Sequence, residues 1–391
     1  MSTSEPAAVG SRPAVEIGPT VAVLFGCLFT VQASLVVLSP ILPLIASDLR
    51  VTVAAVGQLR TISGIVAAAI AVAMVLTDRR GSLREMLLAG LGLLVLGTLA
   101  SALAPTFWVL AAAQVILGAG VALALSGALA ATRQWIPAGH RGHALSWTLI
   151  GQPAAWIVGL PVIGAIGGSD WRLAWLVPLG SGIATLVALL RREDDSPAPP
   201  TPPSTPVRHA SVVSWAIAEL LAYAGWTAIL IYAGALFTTA FATSIGATGL
   251  LLGLGAIAYL PGNFLVRRWV SRIARPLSIV LAAAMSVTGL VFATVRISLG
   301  FSVAVFALFA FLGGARTIAG SSLGLTLSGA DPLRAMSLRT ASVQCGYMAG
   351  AGLGGVGLTL AGWDGLGAVL AVSLALSAVL LLAYRKLQLD S

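Results

Sequence analysis

The sequence predicts an all-α membrane protein of twelve transmembrane helices, arranged as two pseudo-symmetric six-helix bundles. Three observations carry that expectation. First, 58% of the 391 residues are hydrophobic and only 9% are charged, against roughly 25% charged in a soluble domain. So few charges cannot cover a water-facing surface, and the apolar excess must face lipid. Second, a bilayer core about 30 Å thick needs about 20 apolar residues per helix, and cutting the chain at charges and Pro/Gly clusters leaves twelve such runs. Third, residues 312–329 (LGGARTIAGSSLGLTLSG) repeat residues 110–127 (LAAAQVILGAGVALALSG), with matches that include Gly118/Gly320, Leu125/Leu327, Ser126/Ser328 and Gly127/Gly329. A membrane segment that returns half a chain later marks two copies of one bundle, and solutes bind where such copies meet.

Taken in order, residues 1–18 read as a disordered cytoplasmic tail, since no basic start precedes a cleavable apolar core. Spans over 19–45, 54–76, 85–104, 106–132, 142–166 and 172–190 form an N-terminal bundle, 19–190. Pro153 and Pro161 interrupt the fifth and permit a bend there. Residues 191–212 are too rich in charge and proline to cross a membrane and form a cytoplasmic linker. Spans over 213–240, 247–266, 276–296, 301–329, 335–361 and 364–384 form the C-terminal bundle, 213–384, followed by a second cytoplasmic tail, 385–391. Gly346, Gly350 and Gly354 recur every four residues in the eleventh span, where they let a neighbouring backbone approach.

With the N-terminus inside, seventeen of the 22 basic residues fall on the cytoplasmic side, Arg339 among them. Four (Arg50, Arg60, Arg172 and Arg296) fall on the other, and Arg316 stands in the membrane. That asymmetry obeys the positive-inside rule and predicts a multi-pass protein of the inner (cytoplasmic) membrane with both termini cytoplasmic. The basic residues are spread between apolar runs rather than gathered into a stripe, so the pI near 10.7 does not imply a nucleic-acid partner. Cys27 and Cys345 lie inside apolar runs, and His140 and His143 have no further ligand near them. No disulfide, metal or cofactor is therefore expected. The Gly320–Gly324 stretch fits a serine-hydrolase elbow on paper, but it lies in a membrane helix and all three histidines lie in loops, so an enzyme is not expected.

Arg316 near a span centre is expected to face a polar cavity with a partner, where it binds an anionic group or biases a proton carrier. A structural bond to backbone carbonyls of the eleventh span is the alternative. Glu219 is the acidic residue deepest inside a span, and burial there suits a proton carrier; a salt bridge to a loop arginine is the alternative. Gln32, Gln114, Trp156, Tyr223, Trp226, Gln344 and Tyr347 are mid-span residues whose amides and aromatic faces suit a semi-apolar solute pocket. Glu219, Tyr223 and Trp226 share one helix face.

The loop TDRRGSLR, residues 77–84, resembles the signature between helices two and three of major facilitator superfamily transporters, with its core at Asp78, Arg79, Arg80 and Gly81 and a basic residue at Arg84. LSPILPLIASDL (38–49), SALAPTFWVL (101–110) and GLPVIGAIGGSDWRLAW (159–175) resemble the drug-and-metabolite efflux branch, and within it arabinose-efflux-permease-like proteins. The resemblance implies a monomeric transporter that exports a small molecule by proton antiport with alternating access, with Asp78, Arg79, Gly81 and Arg84 as a conformational latch. It also marks departures. Gln114 stands where the branch has an arginine tied to proton exchange, and Ser34 and Leu35 stand near an expected acidic position. Two other readings stay open: an uptake or exchange carrier for a small organic anion held by Arg316, and a non-transporting receptor or scaffold.

Overall fold

The computed structural model describes residues 17–76, 82–137, 140–192, 210–266, 269–327 and 332–387. Among these, eleven helices are long and apolar enough to cross a membrane. The longest of them, Leu338–Ala383, is two crossings. Ala361 leaves helical geometry and Gly362 adopts φ 60°, ψ −146°, a backbone region essentially closed to residues with a side chain. The chain turns there, so that twelve spans result, as the sequence predicts.

The first bundle contains α1 (Ile17–Val36 and Leu38–Asp48, hinged at Val37), α2 (Val53–Leu76), α3 (Leu83–Ala102), α4 (Phe107–Gln134), α5 (Arg141–Ala154, Ala155–Gly159 and Leu160–Gly167) and α6 (Leu173–Leu190). The second contains α7 (Ala210–Phe241), α8 (Ile245–Val266), α9 (Val270–Thr294), α10 (Leu299–Leu327), α11 (332–360) and α12 (363–387). Side-chain caps start several of them: Ser82 accepts from Glu85 N, Thr106 from Val109 N and Ser244 from Ala247 N, each satisfying an otherwise orphan helix donor. The linker and tail expectations fall largely on residues 1–16, 193–209 and 388–391, outside the described residues. At their edges, α7 already begins at Ala210 and α12 runs on to Leu387.

Proline places the contacts between the bundles. Pro161 lacks the N–H that would bond Ile157 O, and α5 widens into a π turn over Ala155–Gly159. There α8 comes against α5. A Cβ on Gly249 would stand 2.5 Å from Leu160 O, and one on Gly164 would stand 2.7 Å from Gly249 Cα. Pro43 likewise frees Ser39 O in α1, and α7 approaches at Gly234, where a Cβ would come within 2.1 Å of that oxygen. Between α2 and α11, Gln58 Nε2 donates to Gly352 O at 3.0 Å, and Gly64 lies under Met348. The glycine stripe of α11 serves its own bundle: Gly346 and Gly350 lie against the α7 carbonyls of Leu220 and Ala224.

These cross-bundle approaches gather from mid-span toward one end, which we call the Asp48 end. Each bundle also carries an ion pair there. Asp48 accepts from Trp171 Nε1 and from Arg172, both at 2.9 Å, and Arg296 pairs with Asp364 at 3.3 Å. At the opposite end Arg84 donates to Arg192 O (3.0 Å) and Leu190 O (3.2 Å), laying its charge on the negative end of α6.

Candidate functional site

Glu219 stands nine residues into α7 and is fully buried. One carboxylate oxygen accepts from Arg316 Nη1 of α10, and the other accepts from Arg339 Nε of α11 at 2.9 Å. Arg339 reaches on with Nη2 to Tyr223 Oη at 2.8 Å, and Tyr223 Oη shares a 3.1 Å hydrogen bond with Thr317 Oγ1. Tyr223 is one helical turn beyond Glu219, so both point the same way. Gly320 makes the arrangement possible, since a Cβ there would fall 2.3 Å from Arg316 Nη1 and from the carboxylate oxygen it bonds. Trp215 caps the cluster by donating to Gly320 O at 2.9 Å. Three helices are thus tied at one point by two guanidinium groups and one carboxylate. Arg316 Nε and Nη2 remain buried without a partner among the described residues. A lone arginine at mid-membrane costs roughly 2.5–3.5 kcal/mol on insertion scales, and this pairing is what lets α7, α10 and α11 carry such charges.

Nearer the contact between bundles lies a narrow cleft whose free space is about 20 Å³, lined by Gln32 and Ser39 of α1, Arg60 of α2, Thr227 of α7 and Tyr347 of α11, among others. Tyr347 joins it to the charge cluster. Its ring meets the Tyr223 ring edge-on at 5.6 Å, and the Arg60 guanidinium lies 5.5 Å from its centroid on the other side. An aromatic wall stands beside the cleft: Trp156, on the π turn of α5, packs against Trp226 of α7 (5.6 Å) and Tyr259 of α8 (5.3 Å), and Trp226 stacks on Phe309 of α10.

The structure therefore places Gln32 and Tyr347 at the cleft, sets Tyr223 against Tyr347, packs Trp156 on Trp226 outside the cleft lining, and joins Glu219 directly to Arg316. Gln114 departs from expectation. It donates to Ser101 Oγ of α3 at 3.2 Å inside the first bundle, away from the cleft, because α4 turns that face to α3. Gln344 is buried on α11, one turn before Tyr347, and is not among the cleft residues. Arg84 holds the end of α6 within its own bundle, while Asp78, Arg79 and Gly81 lie outside the described residues. Two placements are corrections. Arg339, counted on the cytoplasmic side, is packed on Glu219 from inside α11, and Arg60, counted on the opposite side, is only 4% exposed inside α2. Arg316 and Arg60 are thus two buried arginines, and Arg339 beside them is part-buried. The signal was in the span boundaries themselves: residue 60 falls inside 54–76 and residue 339 inside 335–361, each a turn or more from the end.

A family model for the Major Facilitator Superfamily matches residues 24–218. A chloramphenicol efflux pump of Mycobacterium tuberculosis is 34% identical over 145 residues, 37% of this chain and 35% of the pump. An uncharacterized MFS-type transporter of Bacillus subtilis is 31% identical over 180 residues, 44% of this chain and 45% of that protein. The matches thus span between a third and a half of the length of these relatives. Among solved structures, a D-xylose-proton symporter superposes with a TM-score of 0.71 at 16% identity, covering 93% of this chain and 96% of the other. A bacterial homolog of the human lysosomal transporter Spinster, inward-facing and unoccupied, gives 0.70 at 13% identity, covering 96% of each.

Proposed function

We propose that this chain, which belongs to the major facilitator superfamily, exports a small molecule across the cytoplasmic membrane in exchange for protons, by alternating access. The observation that carries the reading is Glu219: a carboxylate buried in the membrane, bonded to two arginines, one aromatic ring away from a cleft between the bundles. A buried ion pair of this kind is strongly destabilised when one partner is removed, which makes it a bistable element that a proton or a cargo can bias. Each carboxylate oxygen already accepts from a guanidinium, so a proton reaches Glu219 only as one arginine is withdrawn. Arg339 is the mobile partner in this scheme, because it rides on α11, which also carries Tyr347 at the cleft. The name of the mycobacterial pump supports the outward direction.

With the linker taken as cytoplasmic, the Asp48 end faces outside. The approaches of α5 to α8, α1 to α7 and α2 to α11 then describe a state closed to the exterior. Rocking the bundles about the cleft gives the opposite state. An anion carrier built on Arg316 is the weaker reading, since that guanidinium is already engaged on Glu219. The test is flux in proteoliposomes with a neutral probe, chloramphenicol, and a carboxylate probe, 3-phenylpropionate. A pH gradient drives uptake by the wild type; Glu219→Gln loses that drive yet keeps cargo-for-cargo exchange. Gradient-driven uptake that survives the substitution removes Glu219 from the mechanism, and absence of any solute flux favours a receptor or scaffold.

A further inference from the structure

We infer that Arg60 is the ligand for the cargo and that the cargo bears a negative charge, a carboxylate or an equivalent oxyanion. This rests on the transport reading above and names its substrate class. Arg60 stands seven residues into α2, about 10 Å along the helix, and is 4% exposed. Among the described residues no carboxylate pairs with it, whereas Arg316 and Arg339 share Glu219, and Arg172 and Arg296 have aspartates. Its hydrogen bond to Ser63 Oγ is long, 3.3 Å, and the face of Tyr347 supplies only a quadrupole. A guanidinium this deep in a membrane needs a counter-charge, and the described residues provide none.

A second observation points the same way. Thr227, on the opposite side of the cleft and 4% exposed, has a buried hydroxyl with no partner among the described residues. The Gln32 amide and Ser39 line the same space. A fork of N–H donors, a free hydroxyl and an amide line one cavity, and form a carboxylate site when rocking of the bundles widens it, with the planar fork reading two oxygens at once. The neighbouring cluster explains why such a site couples to transport. From Arg60 the contacts run through Tyr347 and Tyr223 to Arg339 and Glu219. Three arginines and one glutamate meet here, so an anion at Arg60 bears on the same charge cluster that holds Glu219. The energetics favour export: a monoanion leaving as a proton enters moves two charges in the direction that an inside-negative potential drives.

The test uses the purified full-length protein and three acids, benzoate, hexanoate and 3-phenylpropionate, each beside its own amide at neutral pH, with thermal stabilisation as the readout. Acids are expected to bind the wild type about tenfold more tightly than the amides. Arg60→Gln abolishes that preference, and Arg60→Lys keeps part of it. Because no partner is orphaned, Arg60→Gln without ligand should melt no lower than the wild type, which separates a lost site from a lost fold. Equal binding of acids and amides, a preference that survives Arg60→Gln, or no stabilisation by any acid overturns the inference. Flux of chloramphenicol or of 3-phenylpropionate scores the transport reading separately. Flux without acid preference leaves transport standing and removes the anion site. Acid preference with no flux of chloramphenicol or acid leaves an anion site and removes its role as a cargo site.

Discussion

Helices α4 and α10 occupy the same place in the two bundles, and they have parted in chemistry while keeping a shared outline. Gln114 and Arg316 are equivalent positions in the repeat. Gln114 makes a neutral hydrogen bond to Ser101 on α3, and Arg316 makes an ion pair to Glu219 on α7. Four residues on, both helices have glycine, for different reasons. Gly118 lets α4 lie on the α2 backbone, where a Cβ would stand 2.4 Å from Ser63 O, whereas Gly320 clears room for the Arg316–Glu219 contact. The first bundle is a packed support with a buried cation, Arg60, that has no carboxylate partner among the described residues. The second holds the charges that can rearrange. A pseudo-symmetric fold need not divide its chemistry evenly, and here the repeat predicts backbone packing better than it predicts function.

The largest expected effect breaks the charged side of that comparison. Glu219→Gln leaves the buried Arg316 and the part-buried Arg339 without a counter-charge, and should cost about 3–5 kcal/mol of stability, read as thermal unfolding in detergent. Adding Arg339→Gln to the same chain should restore part of the loss, because one orphaned cation is then removed. A double-mutant cycle with no coupling between the two positions would show that the contact carries no weight in the membrane.

The paired glycines come next. Gly320→Ala and Gly118→Ala each force an added methyl into a filled space, at about 1–3 kcal/mol. Their consequences should differ. Gly320→Ala displaces the ion pair and should shift the pH dependence of transport, whereas Gly118→Ala moves α2 against α4 and should lower stability with the pH profile unchanged. Identical pH profiles for the two variants would mean that Gly320 is a packing residue like its counterpart.

Much of this was legible beforehand. The twelve spans, the near-central Arg316 and the depth of Glu219 follow from hydropathy and charge placement, which the bilayer enforces on every residue. Pairing did not follow. Arg60 and Arg339 sit a few residues inside their spans, and a count that assigns each basic residue to a loop moves both to the wrong place. What distinguishes them is which helix lies opposite, and periodicity in one chain segment does not report that. The same limit applies to Gln114: its sequence position said it was mid-span, while its face was set by the packing of α3 against α4 at Gly90 and Gly120, where an added Cβ would meet Ala124 N at 2.6 Å and Leu94 N at 2.7 Å.

The smallest effect sharpens the neutral side. Gln114→Leu removes one amide-to-hydroxyl bond, and Ser101 keeps its own bond to Gly97 O at 2.8 Å, so nothing is orphaned. Interhelical hydrogen bonds in membranes average about 0.6 kcal/mol, and the leucine returns apolar contact in exchange. Stability should therefore change by less than about 1 kcal/mol, and cargo selectivity in proteoliposomes should not change at all. A shift in selectivity would require α4 to turn Gln114 toward the cleft in the opposite conformation, which in turn would require α3 and α4 to slide past the close glycine contacts that now fix them. Those contacts involve backbone atoms that cannot yield singly, so the equivalence of Gln114 and Arg316 should end at their position in the repeat.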